Sequence, residues 1–295
     1  MNTPITCFPQ HDSSKQFLQE SSDIMYQYAK KNCLNNHTCD CFWYHSSWQY
    51  LRLFGGVHSQ ELHFNSYKDF FTQNRHNDLN ILISGTADYA ILHHLHPFLI
   101  SHSNKIQIYI IDICTTPLKI CQWYVDRLQL PDNITFTTIR EDIFRCSLPN
   151  NFFNLITSYS FISRFKHVQQ KEIIEIWKKL LNKYGSIITS DRVMQRERYD
   201  TAFKESNLDK KKFVEKIMTR YNQKGIKLSI TKATLAAMAY KYIDQIRTYS
   251  IASDLQFKNL FFPLKTTHET KLIRGEASTP WIYTSIMASN SNHTS

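Results

Sequence analysis

Between residues 79 and 190, short apolar runs alternate with amphipathic stretches, and this rhythm restricts the possible folds more than any other feature of the sequence. The runs LNILIS (79–84), KIQIYIID (105–112), ITFTTI (134–139), FFNLITS (152–158) and SIITS (186–190) have strand length and are rich in β-branched residues. Between them, YAILHHL, TTPLKICQWYVDRLQL and VQQKEIIEIWKKLLNKYG read as helices. In the second helix, Thr115 or Thr116 is the expected N-cap and Pro117 sits in the first turn, where its missing N–H costs nothing. Leu118, Cys121, Tyr124, Val125 and Leu128 share one face of it. Gly185 is the expected left-handed cap of the third helix. Strands alternating with helices at this spacing predict an α/β fold: an open, mostly parallel sheet with helices on both faces.

The flanking segments have other patterns. Residues 14–34 and 58–73 show helical spacing and enclose the aromatic stretch CFWYHSSWQYLRLFGG. Two more helices are predicted over 200–222 and 231–248, the second marked by Leu235, Ala239, Tyr242, Ile243 and Ile246. LQFKNLFFPL and TPWIYTSIMAS read as two strands that bring the sheet to seven and close it with an antiparallel terminal strand. Four regions result: a helical, aromatic-rich lid (1–78), a ligand-binding core (79–194), a helical insert (195–250) and the terminal strands (251–295). There is no internal repeat.

Composition narrows the setting. The net charge of +10 favours anionic partners, or records no more than surface lysine. No stretch approaches the ~18 apolar residues of a membrane span, and the first residues lack the basic start and apolar core of a secretory signal. Seven cysteines, an odd number, read as free thiols in a reducing compartment, so a cytoplasmic location is expected.

In an open parallel sheet, ligands bind at the carboxyl ends of the strands. Gly85 falls directly after the first strand, where the backbone must turn sharply, and Thr86 and Ala87 are small enough to allow close approach. The second strand ends in Asp112, an acid suited to accept from two ribose hydroxyls, one strand–helix–strand unit beyond the first turn. The third runs into REDIF, where Asp142 can accept from an exocyclic amine.

In this order the chain resembles the class I S-adenosylmethionine-dependent methyltransferases. ILISGTADYA stands where that family has its glycine-rich loop, IYIIDI where it has the ribose acid, and REDIF where it has the adenine-contacting acid. FNLITSYSFISRF and WKKLLNKYGSIITSDRV match the segments of its fourth and fifth strands. The resemblance implies a Rossmann-like seven-stranded sheet and S-adenosyl-L-methionine as cofactor, with S-adenosyl-L-homocysteine as product. It implies cofactor contacts from Gly85, Thr86, Ala87, Asp112, Ile113, Asp142, Ile143, Ser158 and Tyr159. This chain departs from the pattern at Ile83, in place of an acid, at Ala87 and Tyr89, in place of glycines, and at Asn154. A pyrophosphate needs closer backbone approach than Ala87 and Tyr89 allow, which disfavours a dinucleotide.

The aromatic stretch is expected to fold over this pocket as a lid, with Tyr44 and Trp48 holding a flat acceptor and Arg52 pairing with the methionine carboxylate. Trp43 and Trp48, five apart, do not fall on one helix face. Tyr159, Arg164, His167, Asp191 and Arg192 come after the fourth and fifth strands, on the acceptor rim; Asp191 and His45 are the candidate bases, and Arg164 and Arg192 candidate acceptor contacts. Cys33, Cys39, Cys41 and His37 have poor zinc spacing, and His93, His94 and His96 lack a carboxylate partner, so no metal is expected. Lys210, Lys211 and Lys212 read as a solvated face. The expected activity is methyl transfer to a small-molecule acceptor, aromatic ones included, by a monomer or homodimer. The alternatives are a methyltransferase acting on RNA or protein, favoured by the charge, and an inactive protein that keeps the fold.

Overall fold

The computed structural model describes residues 11–34, 40–57, 63–128, 130–193, 206–249, 251–273 and 281–290. Its centre is a seven-stranded sheet of β1 (Leu79–Ser84), β2 (Ile106–Asp112), β3 (Ile134–Arg140), β4 (Phe153–Tyr159), β5 (Leu181–Val193), β6 (Lys265–Ile273) and β7 (Trp281–Ser289). The strand order is β3-β2-β1-β4-β5-β7-β6. β1 to β5 are parallel to one another, and β7 runs antiparallel to both β5 and β6.

The central strands are buried on both faces, as their unbroken apolar runs require. Ile81, Ile83, Ile106, Ile108 and Ile110 point to one side, where they pack with residues of α1 (His11–Cys33), α2 (Phe42–Leu53), α3 (Phe64–Gln73), α4 (Ala90–Leu99) and α5 (Thr115–Val125). Leu82, Ile111, Ile156 and Ile187 point to the other, against α6 (His167–Leu180) and α9 (Asp254–Leu260). Trp177 of α6 is fully buried there and donates through Nε1 to Ser84 Oγ at 3.0 Å, which anchors α6 beneath the end of β1. α7 (Asn207–Lys224) and α8 (Lys232–Gln245) pack on each other, and α8 packs on α2.

Several local expectations are corrected. LQFKNLFFPL is not a strand: residues 254–260 form α9, and β6 is built from the next segment, KTTHETKLI. Ser253 caps α9 by accepting from the Gln256 N–H at 3.1 Å, and Phe257 and Phe261, four apart and fully buried, occupy one helical face. Gly185 does not cap α6, which ends at Leu180; it lies within β5 at a register shift opposite β4. A Cβ there would stand 2.7 Å from the Phe153 carbonyl oxygen, so close strand approach is what requires the glycine. The N-cap of α5 is Cys114, one residue before the expected threonine pair. α3 begins at Phe64, and residues 58–62 of the predicted helix lie outside the described residues, as do His37 and Cys39.

Candidate functional site

Reversal of strand order between β1 and β4 opens a crevice at the carboxyl ends of the strands. It holds a cavity of about 1120 Å³ whose floor comes from the turns after β1, β2 and β4 and whose cover comes from α2, α7 and α8. That volume lies just above the ~300–1,000 Å³ of ligand sites, enough for two small molecules side by side.

The turn after β1 is set by Gly85, with φ +69° and its N–H bonded to the Ile111 carbonyl at 2.9 Å. A Cβ at this position would meet the Phe161 ring at 2.2 Å. The glycine is therefore demanded twice over, by backbone conformation and by the ring that packs on it. The next amide, of Thr86, donates to Asp112 Oδ2 at 3.2 Å, and the Cys114 amide donates to Asp112 Oδ1 at 2.8 Å. Two strand-end turns thus grip one carboxylate, and each oxygen retains a lone pair directed elsewhere. Burial pushes the Asp112 pKa up to about 6, against the pull of the His45 charge and of these two amides.

Asp88, in the same turn, is buried and accepts from the Arg52 guanidinium, from Trp48 Nε1 at 2.8 Å and from the Ala90 N–H at 2.7 Å. Arg52 is therefore committed to Asp88, and does not line the cavity.

The cover is aromatic. The Tyr44 ring lies 5.1 Å from that of Trp48 and stacks on Tyr242 of α8 at 5.8 Å; Tyr242 also stacks on Phe213 of α7 at 6.2 Å. Trp43 and Trp48, though 140° apart around α2 at ~100° per residue, both reach Tyr242, at 5.9 and 6.2 Å, because Tyr44 fills the angle between them. The two rings thus lie on different faces of α2 and still meet one ring of α8. The Arg164 guanidinium lies over the Tyr44 ring at 5.5 Å, and burial pushes the Tyr44 phenol up to about 12 in spite of that charge. Tyr159 stacks on Tyr283 of β7 at 5.9 Å. Lys211 and Lys212 are exposed, with Lys212 at the cavity mouth, whereas Lys210 is turned in and pairs with Asp244 at 2.6 Å.

Of the residues singled out in the sequence, Gly85, Thr86, Ala87, Asp112, Ile113, Tyr159, Tyr44, His45, Trp48, Arg164 and Arg192 line the cavity. Asp142, Ile143, Ser158, Asp191 and His167 do not. Asp142 accepts from the Phe144 N–H at 3.1 Å and starts a 3-10 turn; Ser158 is fully buried and bonds Thr189 at 2.8 Å. Asp191 is fully buried too, accepting from the Ser163 and Arg192 amides at 2.9 and 2.8 Å. His45 points Nδ1 at the Cys33 sulfur; burial would pull its imidazole down, but the Cys114 and Cys33 thiols push it up to about 10.

One group had no signal in the sequence. His63, the residue before α3, lines the cavity while only 3% exposed. Its Nδ1 stands 3.1 Å from Tyr67 Oη, which stands 2.7 Å from Thr157 Oγ1, and Nε2 has no partner among the described residues. The hydroxyl pair can point either way, so Nε2 can offer a proton or accept one. Burial pushes the His63 imidazole down to about 3 from the ordinary 6.5. The unfolded chain then binds a proton that the native state refuses between those values, so stability present above pH 6.5 is lost as the pH falls through the window. From about pH 7 to pH 5 this residue should remove about 2 kcal/mol of unfolding free energy in urea titrations, and His63→Gln should remove that part of the slope. An identical slope in the variant would show that His63 is not held neutral.

No family model and no curated protein matches the chain. Among solved structures it is similar to a S-adenosylmethionine-dependent methyltransferase from Methanosarcina mazei (10% identity, 74% of this chain and 96% of that one, TM-score 0.46). It is also similar to an N-methyltransferase from Bradyrhizobium japonicum solved with S-adenosyl-L-homocysteine (11%, 90% and 98%, TM-score 0.43). A third is an arsenic(III) S-adenosylmethionine methyltransferase from Chlamydomonas reinhardtii (13%, 71% and 62%, TM-score 0.41). By its own sheet order, with β7 alone reversed, the chain has the fold of the class I S-adenosylmethionine-dependent methyltransferases.

Proposed function

We propose that the chain is an S-adenosylmethionine-dependent methyltransferase acting on a small-molecule acceptor with an aromatic or otherwise flat body. The observation that carries this reading is the Asp112 carboxylate, gripped by the Thr86 and Cys114 amides beside Gly85, on the floor of a deep aromatic cavity.

The residues present fit an adenosyl group. Asp112 keeps one acceptor site on each oxygen, the arrangement two neighbouring ribose hydroxyls need. Gly85 lines the pocket with the Phe161 ring packed on its Cα, and Ile113, 46% exposed, offers an apolar edge to a base. The rings of Tyr44, Trp48 and Tyr242 present π faces suited to a sulfonium. Bound there, the cofactor supplies an activated methyl group for in-line displacement. The chain's own part is alignment: the aromatic cover holds the acceptor flat, Arg164 gives the rim a fixed positive charge, and α7 and α8 exclude water. Where the acceptor carries a hydroxyl or an amine, His63 Nε2, kept neutral by burial, is placed to accept a hydrogen bond from it, with Tyr67 and Thr157 behind it. His45 and Asp191 are not proposed as bases, since thiols surround the first and amides engage the second.

The basic side chains of Lys212, Lys216 and Arg220 along α7 also line the cavity, which keeps a polyanionic acceptor in view. S-adenosyl-L-homocysteine at 100 times its dissociation constant should stabilise the chain by about 2.7 kcal/mol, seen as a thermal shift. Absence of any shift at millimolar cofactor would leave a protein that keeps the fold without the activity. Methyl transfer to RNA, with affinity falling steeply in salt, would replace the small-molecule acceptor with a nucleic acid.

A further inference from the structure

Three cysteines and a histidine converge beside the cavity from places far apart in the chain. Cys33 closes α1, Cys41 is the N-cap of α2, His45 lies in the first turns of α2, and Cys114 is the N-cap of α5. The Cys33 sulfur lies 3.6 Å from the Cys114 sulfur and 3.6 Å from His45 Nδ1, and the Cys41 sulfur lies 3.6 Å from that of Cys114. All four donor atoms fall within 4.8 Å of one another. We propose that Cys33, Cys41, His45 and Cys114 bind one zinc ion that clamps α1 and α2 onto the end of β2.

The distances select this reading over the alternatives. A tetrahedron with zinc–sulfur bonds of ~2.3 Å and a zinc–nitrogen bond of ~2.0 Å has sulfur–sulfur edges near ~3.8 Å and sulfur–nitrogen edges near ~3.6 Å. The three separations of 3.6 Å match those edges, and the two between sulfurs are far from the ~2.05 Å of a disulfide, which could in any case use only one of the two sulfurs beside Cys114. Four protein ligands fill the tetrahedron, which marks a structural rather than a catalytic ion.

The surroundings favour thiolates. Thr116 Oγ1 lies 3.0 Å from the Cys33 sulfur, and the Thr116 N–H donates to the Cys114 sulfur at 3.5 Å. Both are the outer hydrogen bonds that orient metal-bound sulfur, and the N-terminus of α5 adds its positive end. Cys33 and Cys114 are buried, so ionised sulfurs there need a cation for company.

The position gives the ion a task independent of the cofactor reading. Cys114 ligates through its side chain while its amide holds Asp112, so the clamp ties the N-terminal helices to the turn that carries that carboxylate. The expectation of no metal weighed Cys33, Cys39, Cys41 and His37, and separately His93, His94 and His96; the fold instead joins Cys33 and Cys41 to His45 and the remote Cys114.

The test is metal content of the full chain purified without chelators and titrated with zinc. Close to one zinc per chain is expected, with cobalt(II) in its place giving the intense visible bands of tetrahedral thiolate coordination. Cys114→Ser should weaken zinc binding at least about 100-fold, while Cys146→Ser, remote from the cluster, should leave it unchanged. His45→Cys, which preserves four donors, should retain the ion and alter the cobalt spectrum, and so separates ligation from folding. Substoichiometric zinc with seven titratable thiols, or a disulfide between any of the three cysteines, would overturn the proposal, whatever the affinity for S-adenosylmethionine.

Discussion

Asp88→Ala should lower the unfolding temperature by about 10 °C, the largest loss expected from any single charged residue at the site. The carboxylate is 3% exposed and receives the Arg52 guanidinium, the Trp48 indole N–H and the Ala90 amide. Its removal leaves a guanidinium that is 10% exposed with no counter-charge, and a broken buried pair costs about 3–5 kcal/mol. At about 2 °C per kcal/mol for a chain of this size, the shift comes to roughly that figure. The double variant Asp88→Leu with Arg52→Met removes both charges together and should recover most of the loss, because a well-packed apolar pair avoids desolvation altogether. Equal losses in the single and double variants would mean that packing around Trp48, and not charge, holds this corner.

The core of the fold was legible because two periodicities coincide with strong punctuation. In β1 and β2 apolar residues fill both faces, and Pro117 marks the start of α5 to within a turn. Reading failed where one segment satisfies two periods. LQFKNLFFPL has aromatic residues enough for a strand, but Phe257 and Phe261 are four apart and Ser253 precedes them as a cap, so helix packing against α6 prevailed. Gly185 misled for a related reason, since a glycine after a helical run serves equally for a tight strand crossing.

Of the residues placed by a strand end, Gly85, Asp112 and Tyr159 line the cavity, while Ser158 and Asp142 do not. Residues whose role depends on a tertiary partner were not readable. Asp142 faces a neighbouring amide instead of the cavity, and Arg52 is taken by Asp88, a residue whose role nothing in its local sequence announces. His63 and the cluster of Cys33, Cys41, His45 and Cys114 exist only because separate helices end at the same place. No spacing along the chain encodes that meeting.

Asp112→Ala should weaken S-adenosyl-L-homocysteine binding by about 100-fold, with the folded structure kept. Two charge-assisted hydrogen bonds to ribose hydroxyls are lost, each contributing about 1.5–3 kcal/mol, and part of that returns as water takes their place. The Thr86 and Cys114 amides lose their acceptor as well; Thr86 lines the cavity, where water reaches its amide, while Cys114 is buried and depends on a water in the space the carboxylate leaves. The ligand supplies the decisive control. An analogue lacking both ribose hydroxyls should bind the native chain about 100-fold more weakly than S-adenosyl-L-homocysteine, yet bind the alanine variant and the native chain alike, because each change removes the same contact. If the two losses add in full, Asp112 acts on the pocket only through the turns it ties together, and the ribose is held elsewhere. Calorimetry on the four combinations separates the outcomes, with circular dichroism confirming that each variant is folded. The alanine variant should also leave zinc content unaltered, since Cys114 keeps its sulfur in place through the α5 N-cap rather than through Asp112.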